Sequence, residues 1–170
     1  LGLVGSEMCI RDSYSIVDLK EKYDAVLITI GASTDKKLGL EGEDAKGVIS
    51  AVQFLRNVGY GTQESLEGKE VAVIGGGNVS MDAVRTSVRL GAKKVSIVYR
   101  RRVADMTALP DEISGAEAEG VEIKTLMAPS RIEKDEEGNV KGIWVTPQMI
   151  SNIKGGRASV KPTGEDDVFI

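Results

Sequence analysis

The stretch VAVIGGGNVSMDAVR (residues 71–85) joins an apolar, β-branched run to three glycines and then to helix-forming sequence. A short apolar run that ends at glycine is typical of a buried strand, and Val84 and Val88 recur at helical spacing. Gly91 predicts the end of that helix, and KVSIVY (94–99) predicts a second strand. The order strand, glycine loop, helix, strand indicates one β-α-β unit of a Rossmann-type α/β fold with a parallel sheet.

The glycines match the pattern G-x-G-x-x-small at Gly75, Gly77 and Ser80. In this pattern the first glycine makes the turn, the second lets the backbone approach a pyrophosphate, and the third position allows helix and strand to pack closely. Free N–H groups at the start of the helix point at the phosphates. We predict a cofactor-binding loop formed by Gly75, Gly76, Gly77, Asn78, Val79 and Ser80. A glycine turn that serves only packing is the alternative.

The end of the second strand favours NADP(H). An NAD site has an aspartate or glutamate at this place to accept hydrogen bonds from the ribose 2′-hydroxyl, whereas this sequence reads Tyr99, Arg100, Arg101, Arg102. Arginine pairs bidentately with a phosphate group. We therefore predict that Tyr99, Arg100 and Arg101 bind the cofactor, with Arg100 or Arg101 on the 2′-phosphate and Arg102 in solvent. The alternative is that all three arginines form a solvated surface.

Other segments predict the elements around this unit. A capping box at Ser15 and Asp18 predicts a short helix, and YDAVLITIGAS (23–33) predicts a buried strand that ends at Gly31. Further predictions are a helix in VISAVQFLRNV (48–58), a helix from Pro110 to Gly120, a strand in VEIKTL (121–126), an antiparallel hairpin in RIEKDEEGNVKGIWVT (131–146), a loop after Pro147, and a strand beginning in DDVFI (166–170).

Composition excludes several classes of function. The 170 residues are 41% hydrophobic and 28% charged with a formal charge of −4, so no overall basic field favours nucleic acid. The apolar runs are far shorter than the about 20 residues of a membrane span. With Cys9 as the only cysteine and no histidine, we predict no internal disulfide, no cysteine-rich metal site and no histidine triad. A reducing, cytoplasmic setting fits this composition best.

A series of ordered segments resembles a known family. The segments YDAVLITIGAS, LEGED, VIGGGNVSMDAVR, VYRRR, MTALPDEI, AEGVEI and GIWVTPQMI resemble the NAD(P)H-binding region of the glutamate synthase small-subunit family, a group of FAD-dependent pyridine nucleotide oxidoreductases that includes part of dihydropyrimidine dehydrogenase. The resemblance covers residues 14–170 and implies NADP(H) and FAD as cofactors. It also implies direct hydride transfer between them and onward electron transfer to iron–sulfur centres. It assigns Gly31 to the turn where the FAD domain meets the inserted NADPH domain.

The same resemblance implies a division of the chain. Residues 1–13 form a non-native or disordered tail, 14–66 a partial FAD-domain segment and connection, 67–150 the NAD(P)H-binding domain, with its antiparallel β-meander, and 151–170 a return segment toward the FAD domain. The expected partners are the FAD-domain and iron–sulfur portions or subunits, and the isolated chain is expected to be inactive.

No acid or base in the sequence is assigned a catalytic role. Asp82, Asp111 and Glu112 fall near helix starts, where carboxylates usually stabilise the helix dipole. Two other functions stay open. One is a non-catalytic NADP(H)-sensing module; the other is a single-domain dehydrogenase, which is disfavoured because no tyrosine is followed four residues later by lysine.

Overall fold

The computed structural model describes residues 15–29 and 34–170, and the chain divides into two compact units at residue 33. In the first unit, helix α1 (Ile16–Lys22) begins at the predicted capping box. The backbone N–H of Asp18 donates to Ser15 Oγ at 3.2 Å, and the Ser15 N–H donates to the Asp18 carboxylate at 2.8 Å. The capping-box prediction is confirmed.

The buried strand predicted in the first unit is wrong for its described part. Residues 25–29 form no strand, and Leu27 and Ile28 are 88% and 63% exposed. An apolar strand is buried only when other strands or helices cover it, and these residues pair with no strand in the described part of the chain. Residues 30–33 lie outside the described residues, and so does the predicted site residue Gly31.

The second unit contains the remaining elements and is built on two sheets. In chain order they are α2 (Ala51–Gly59), β1 (Glu70–Ile74), α3 (Asn78–Arg89), β2 (Lys94–Tyr99), a 3-10 turn (Val103–Asp105), α4 (Pro110–Ala118), β3 (Glu122–Thr125), β4 (Met127–Lys134), β5 (Val140–Lys154), β6 (Arg157–Pro162) and β7 (Val168–Phe169).

Strands β1, β2 and β3 form a parallel sheet in that order. Helix α3 packs on it through Met81 and Val84, which are fully buried against Val95 and Ile97 of β2. Burying an aliphatic side chain of this size stabilises the fold by about 1.5–3 kcal/mol. The helix ends before Gly91, whose φ is 84°. The β-α-β unit expected from the spacing is confirmed.

The second sheet is antiparallel and confirms the hairpin predicted over residues 131–146. Strand β5 pairs with β4 along its first part and with β6 along its second, and β7 adds to β5. The loop predicted after Pro147 is wrong, because β5 continues to Lys154 and turns through Gly155 and Gly156 into β6. Both glycines have positive φ (59° and 80°), which suits a two-residue hairpin turn. The polar sequence of this ribbon concealed it, since a two-stranded ribbon satisfies its backbone without a buried face.

The two sheets meet beneath β2. Val98 is fully buried against Val145 and Ile143 of β5. Leu126, between β3 and β4, donates its N–H to the Arg101 carbonyl at 3.2 Å, and its own carbonyl accepts from Gln148 N at 2.8 Å. The chain that follows β2 is therefore held beside the antiparallel sheet. None of the described helices has the length and apolar character needed to cross a membrane.

Candidate functional site

The candidate site lies where the parallel strands end. Gly75 follows β1, Arg100 follows β2, and the Gly75 N–H donates to the Val98 carbonyl at 3.1 Å, so the two strand ends are adjacent. Open α/β sheets bind ligands outside the carboxyl ends of their strands. We call residues 75–77 the glycine loop and residues 100–102 the arginine segment; both lie at this edge.

Gly75 is required for the turn itself. Its φ is 140°, a conformation that side chains disfavour. An added Cβ would also lie 2.6 Å from Oγ of Ser80. Ser80 is buried beneath the turn, so its place in the motif is explained by close packing between helix and strand.

Gly76 is held from below by two neighbouring segments. Its carbonyl accepts hydrogen bonds from Thr107 N at 2.9 Å and Ala108 N at 3.1 Å. A Cβ at this position would lie 2.8 Å from the ring of Tyr99. That ring is 8% exposed, and its hydroxyl donates to the Asp105 carbonyl at 2.8 Å. Tyr99, predicted as a cofactor-binding residue, thus lies under the glycine loop and shapes it.

The start of α3 is open to a ligand. Gly77 caps the helix without a side chain, and within residues 34–170 no acceptor pairs with the N–H groups of Asn78 or Val79. Unpaired N–H groups at a helix start favour an anion, because they carry partial positive charge. This is the geometry that a pyrophosphate requires.

The side chain of Asn78 has a role that the sequence did not reveal. Its Oδ1 accepts from the N–H of Leu109 at 2.9 Å, and Leu109 caps α4. The bond brings the N-terminal ends of α3 and α4 together at the edge of the sheet. Of the predicted binding groups at Asn78, the backbone N–H stays open while the amide oxygen is engaged.

The arginine segment contains three differently placed side chains. Arg100 is exposed and has no hydrogen bond or ion pair within the described ranges 15–29 and 34–170. Arg101 is half-buried, and its Nε donates to the carbonyl of Ala158 in β6 at 3.0 Å. The terminal nitrogens of Arg101 are not used in that bond, so they are available to a phosphate.

Arg102 does not lie free in solvent as predicted. Its Nε and Nη2 donate to the carboxylate of Asp105 at 2.8 and 2.9 Å, and that carboxylate is completely buried. The Arg102 hydrogen bond holds the pKa of Asp105 well below its ordinary value, against the opposing effect of burial. Sequence reasoning missed Asp105; the only local signal was its spacing of three residues from an arginine.

The acidic residues near the helix starts are placed apart from an open cleft. Glu112 accepts from Arg85 Nη1 at 2.6 Å, and Glu119 accepts from Arg85 Nε at 2.9 Å, so this cluster ties α3 to α4. The side chains of Asp82 and Asp111 are exposed.

Comparison with known proteins identifies the family. A family model described as pyridine nucleotide-disulphide oxidoreductase matches residues 9–154. The chain belongs to this family. Among its relatives, the glutamate synthase [NADPH] small chain of Escherichia coli (strain K12) is 43% identical over 89% of this chain, and the NADP(+)-dependent formate dehydrogenase subunit beta of Moorella thermoacetica is 45% identical over 74%. This confirms the resemblance drawn from the ordered segments.

The chain covers only part of these oxidoreductases, 34% of the glutamate synthase chain and 18% of the formate dehydrogenase subunit. Among solved structures, FprA of Mycobacterium tuberculosis in complex with NADPH superposes with a TM-score of 0.73 at 21% identity, covering 91% of this chain and 50% of that one. The thioredoxin reductase of T. acidophilum gives a TM-score of 0.52 at 18% identity, covering 76% and 38%. These likenesses confirm the predicted Rossmann-type α/β fold of a pyridine nucleotide-disulphide oxidoreductase.

Proposed function

We propose that this chain is the NADP(H)-binding part of a flavin-dependent oxidoreductase that passes hydride between NADPH and FAD. Electrons continue to iron–sulfur centres or a partner subunit. One observation carries the proposal: an open helix N-terminus above a glycine turn lies beside an arginine segment that follows the neighbouring strand. The first feature fits a pyrophosphate and the second fits a phosphate on the ribose.

The residues present fit NADP(H) better than NAD(H). The N–H groups of Asn78 and Val79 would take the pyrophosphate, and the 2′-phosphate would lie against Arg100 and the terminal nitrogens of Arg101. An NAD site needs a carboxylate that accepts from the 2′-hydroxyl. The carboxylate nearest in sequence to the end of β2, Asp105, is buried and already paired.

The names of relatives support the same cofactor. Glutamate synthase [NADPH] small chain, NADP(+)-dependent formate dehydrogenase subunit beta and NADPH-Fe(3+) oxidoreductase subunit beta of Geobacter sulfurreducens all name NADP(H), and FprA was solved with NADPH. Three of these four names describe a subunit or chain of a larger enzyme. We therefore extend the proposal to partners that carry FAD and iron–sulfur centres.

Within that enzyme we assign residues 67–150 to the NADP(H) domain, and residues 14–66 and 151–170 to segments of an FAD domain. FAD supplies the two-electron chemistry when bound, while the residues of this chain bind and orient the nicotinamide nucleotide. Such a reaction needs no acid or base from these residues. We expect the isolated chain to bind NADP(H) without turnover.

Titration of the chain with NADPH and NADH tests the proposal. We expect NADPH to bind more tightly, and we expect Arg100→Ala and Arg101→Ala each to weaken NADPH binding by about tenfold or more, since each removes charge-assisted hydrogen bonds. NADH binding should change little. Arg89→Ala is the matched control, because Arg89 is an exposed arginine at the opposite end of α3. Equal affinities for the two nucleotides in the unaltered chain would refute the proposal.

A further inference from the structure

Asp105 is a buried charge with an unusually complete set of partners. Its side chain is 0% exposed and accepts four hydrogen bonds: from the backbone N–H, Nε and Nη2 of Arg102, and from the backbone N–H of Ala158 at 2.8 Å. A buried carboxylate is tolerated only when it is paired and hydrogen-bonded. The position of Asp105 is therefore tightly defined on both sides.

The partners of Asp105 belong to two distant parts of the chain. Ala158 lies in β6, 53 residues away, and it is bonded twice: its N–H donates to Asp105, and its carbonyl accepts from Arg101 Nε at 3.0 Å. The carbonyl of Gly156, in the β5–β6 turn, accepts from Arg102 Nη2 at 3.3 Å. The tip of this hairpin is thus joined to the arginine segment by hydrogen bonds that converge around one carboxylate.

This arrangement determines which part of Arg101 faces a ligand. A guanidinium has five N–H donors in a planar fork. With Nε directed at Ala158, the plane of the fork is set by β6 and its terminal nitrogens remain for an anion. A side chain that is oriented before binding loses less rotamer freedom when the ligand arrives.

We propose that Asp105 is a positioning residue for nucleotide selectivity: it holds the β5–β6 hairpin against the arginine segment and so orients Arg101 toward the 2′-phosphate. The inference rests on the proposed NADP(H) function. It assigns to the antiparallel ribbon a share in distinguishing NADPH from NADH, although none of its side chains needs to touch the nucleotide.

The test is Asp105→Asn, with affinities for NADPH and NADH measured by titration of the whole chain. The amide keeps the size of the side chain but loses one acceptor and the charge that pairs with Arg102. We expect the NADPH-to-NADH affinity ratio to fall by about tenfold, with NADH binding nearly unchanged. A merely structural role would weaken both nucleotides alike, because they share the glycine loop.

Asp135→Asn is the matched control. Asp135 also accepts backbone N–H groups, from Glu137 and Asn139, but it lies at the tip of the β4–β5 hairpin. This variant should leave the affinity ratio unchanged. If Asp105→Asn proves unfolded by circular dichroism, Arg102→Lys decides the matter: it keeps the charge, loses the fork, and should lower the ratio while NADH still binds.

The outcomes separate the two proposals. No preference for NADPH in the unaltered chain refutes the proposed function itself. A preference that persists in folded Asp105→Asn, or in Arg102→Lys where the first variant is unfolded, overturns only the inference about Asp105. Equal losses of NADPH and NADH affinity in a folded variant overturn it too.

Discussion

Replacing Gly76 with alanine tests whether the glycine loop is shaped by the ring beneath it. The added Cβ would lie 2.8 Å from Cε2 of Tyr99 and 2.9 Å from Cγ of Met106. Carbon atoms in contact need about 3.5–4.0 Å, so the ring or the loop must move by about 0.7 Å or more. The ring yields poorly, because it is buried and its hydroxyl is bonded to the Asp105 carbonyl.

The expected cost follows from this overlap. Overpacking of this kind destabilises a core by about 1–3 kcal/mol. In a chain of this size each kcal/mol lowers the melting temperature by about 2–4 °C, so Gly76→Ala should melt about 3–10 °C lower. Thermal unfolding followed by far-ultraviolet circular dichroism measures the change, and titration with NADPH should show weaker binding because the loop has moved.

Gly77→Ala is the control, because the same added methyl group has room there. Its nearest neighbour would be Thr107 Oγ1 at 3.5 Å, and the φ of Gly77 is −104°, which alanine adopts readily. We expect an unchanged melting temperature together with weaker NADPH binding, since the new Cβ stands where the pyrophosphate approaches. A Gly76→Ala chain that melts within about 1 °C of the unaltered chain, below the smallest shift expected, would refute the packing argument. Equal destabilisation of both variants would do the same.

Two further predictions concern the contacts around the site. Asn78→Ala should lower the free energy of unfolding in urea by about 0.5–1.5 kcal/mol, because the Leu109 N–H loses its acceptor, whereas Asn78→Asp should retain stability. Because the pKa of Asp105 is lowered on folding, its ionised form stabilises the protein above the unfolded-state value of about 4, and this contribution disappears as the pH falls below it. The gap in melting temperature between the unaltered chain and Asp105→Asn should therefore be complete at neutral pH and narrow in acid; a gap independent of pH would contradict this account.

Much of the candidate site was predictable because its signals are local. The glycine spacing, the helix that begins at Asn78 and the arginines after β2 were all found in the sequence, and the structure brings them to one edge of the sheet. The hairpin over residues 131–146 was found for the same reason, since strand alternation and a turn lie within one short segment.

The errors arose where a segment's neighbours decide its structure. The apolar residues 25–29 read as a buried strand, yet in the described chain no strand pairs with them. The polar residues after Pro147 read as a loop, yet each half of the ribbon satisfies the backbone of the other. Arg102 read as a solvated charge, and only the fold shows the buried carboxylate beside it.

The sequence by itself determined the β-α-β unit and its glycine loop, because backbone freedom, helix capping and hydrophobic spacing act over a few residues. The tertiary structure alone decided which donors remain open. Asn78 is tied to Leu109, 31 residues away, and Asp105 to Ala158, 53 residues away, and no local pattern encodes such pairings. Those long-range bonds occupy some polar groups and leave others, Arg100 among them, free to meet a phosphate.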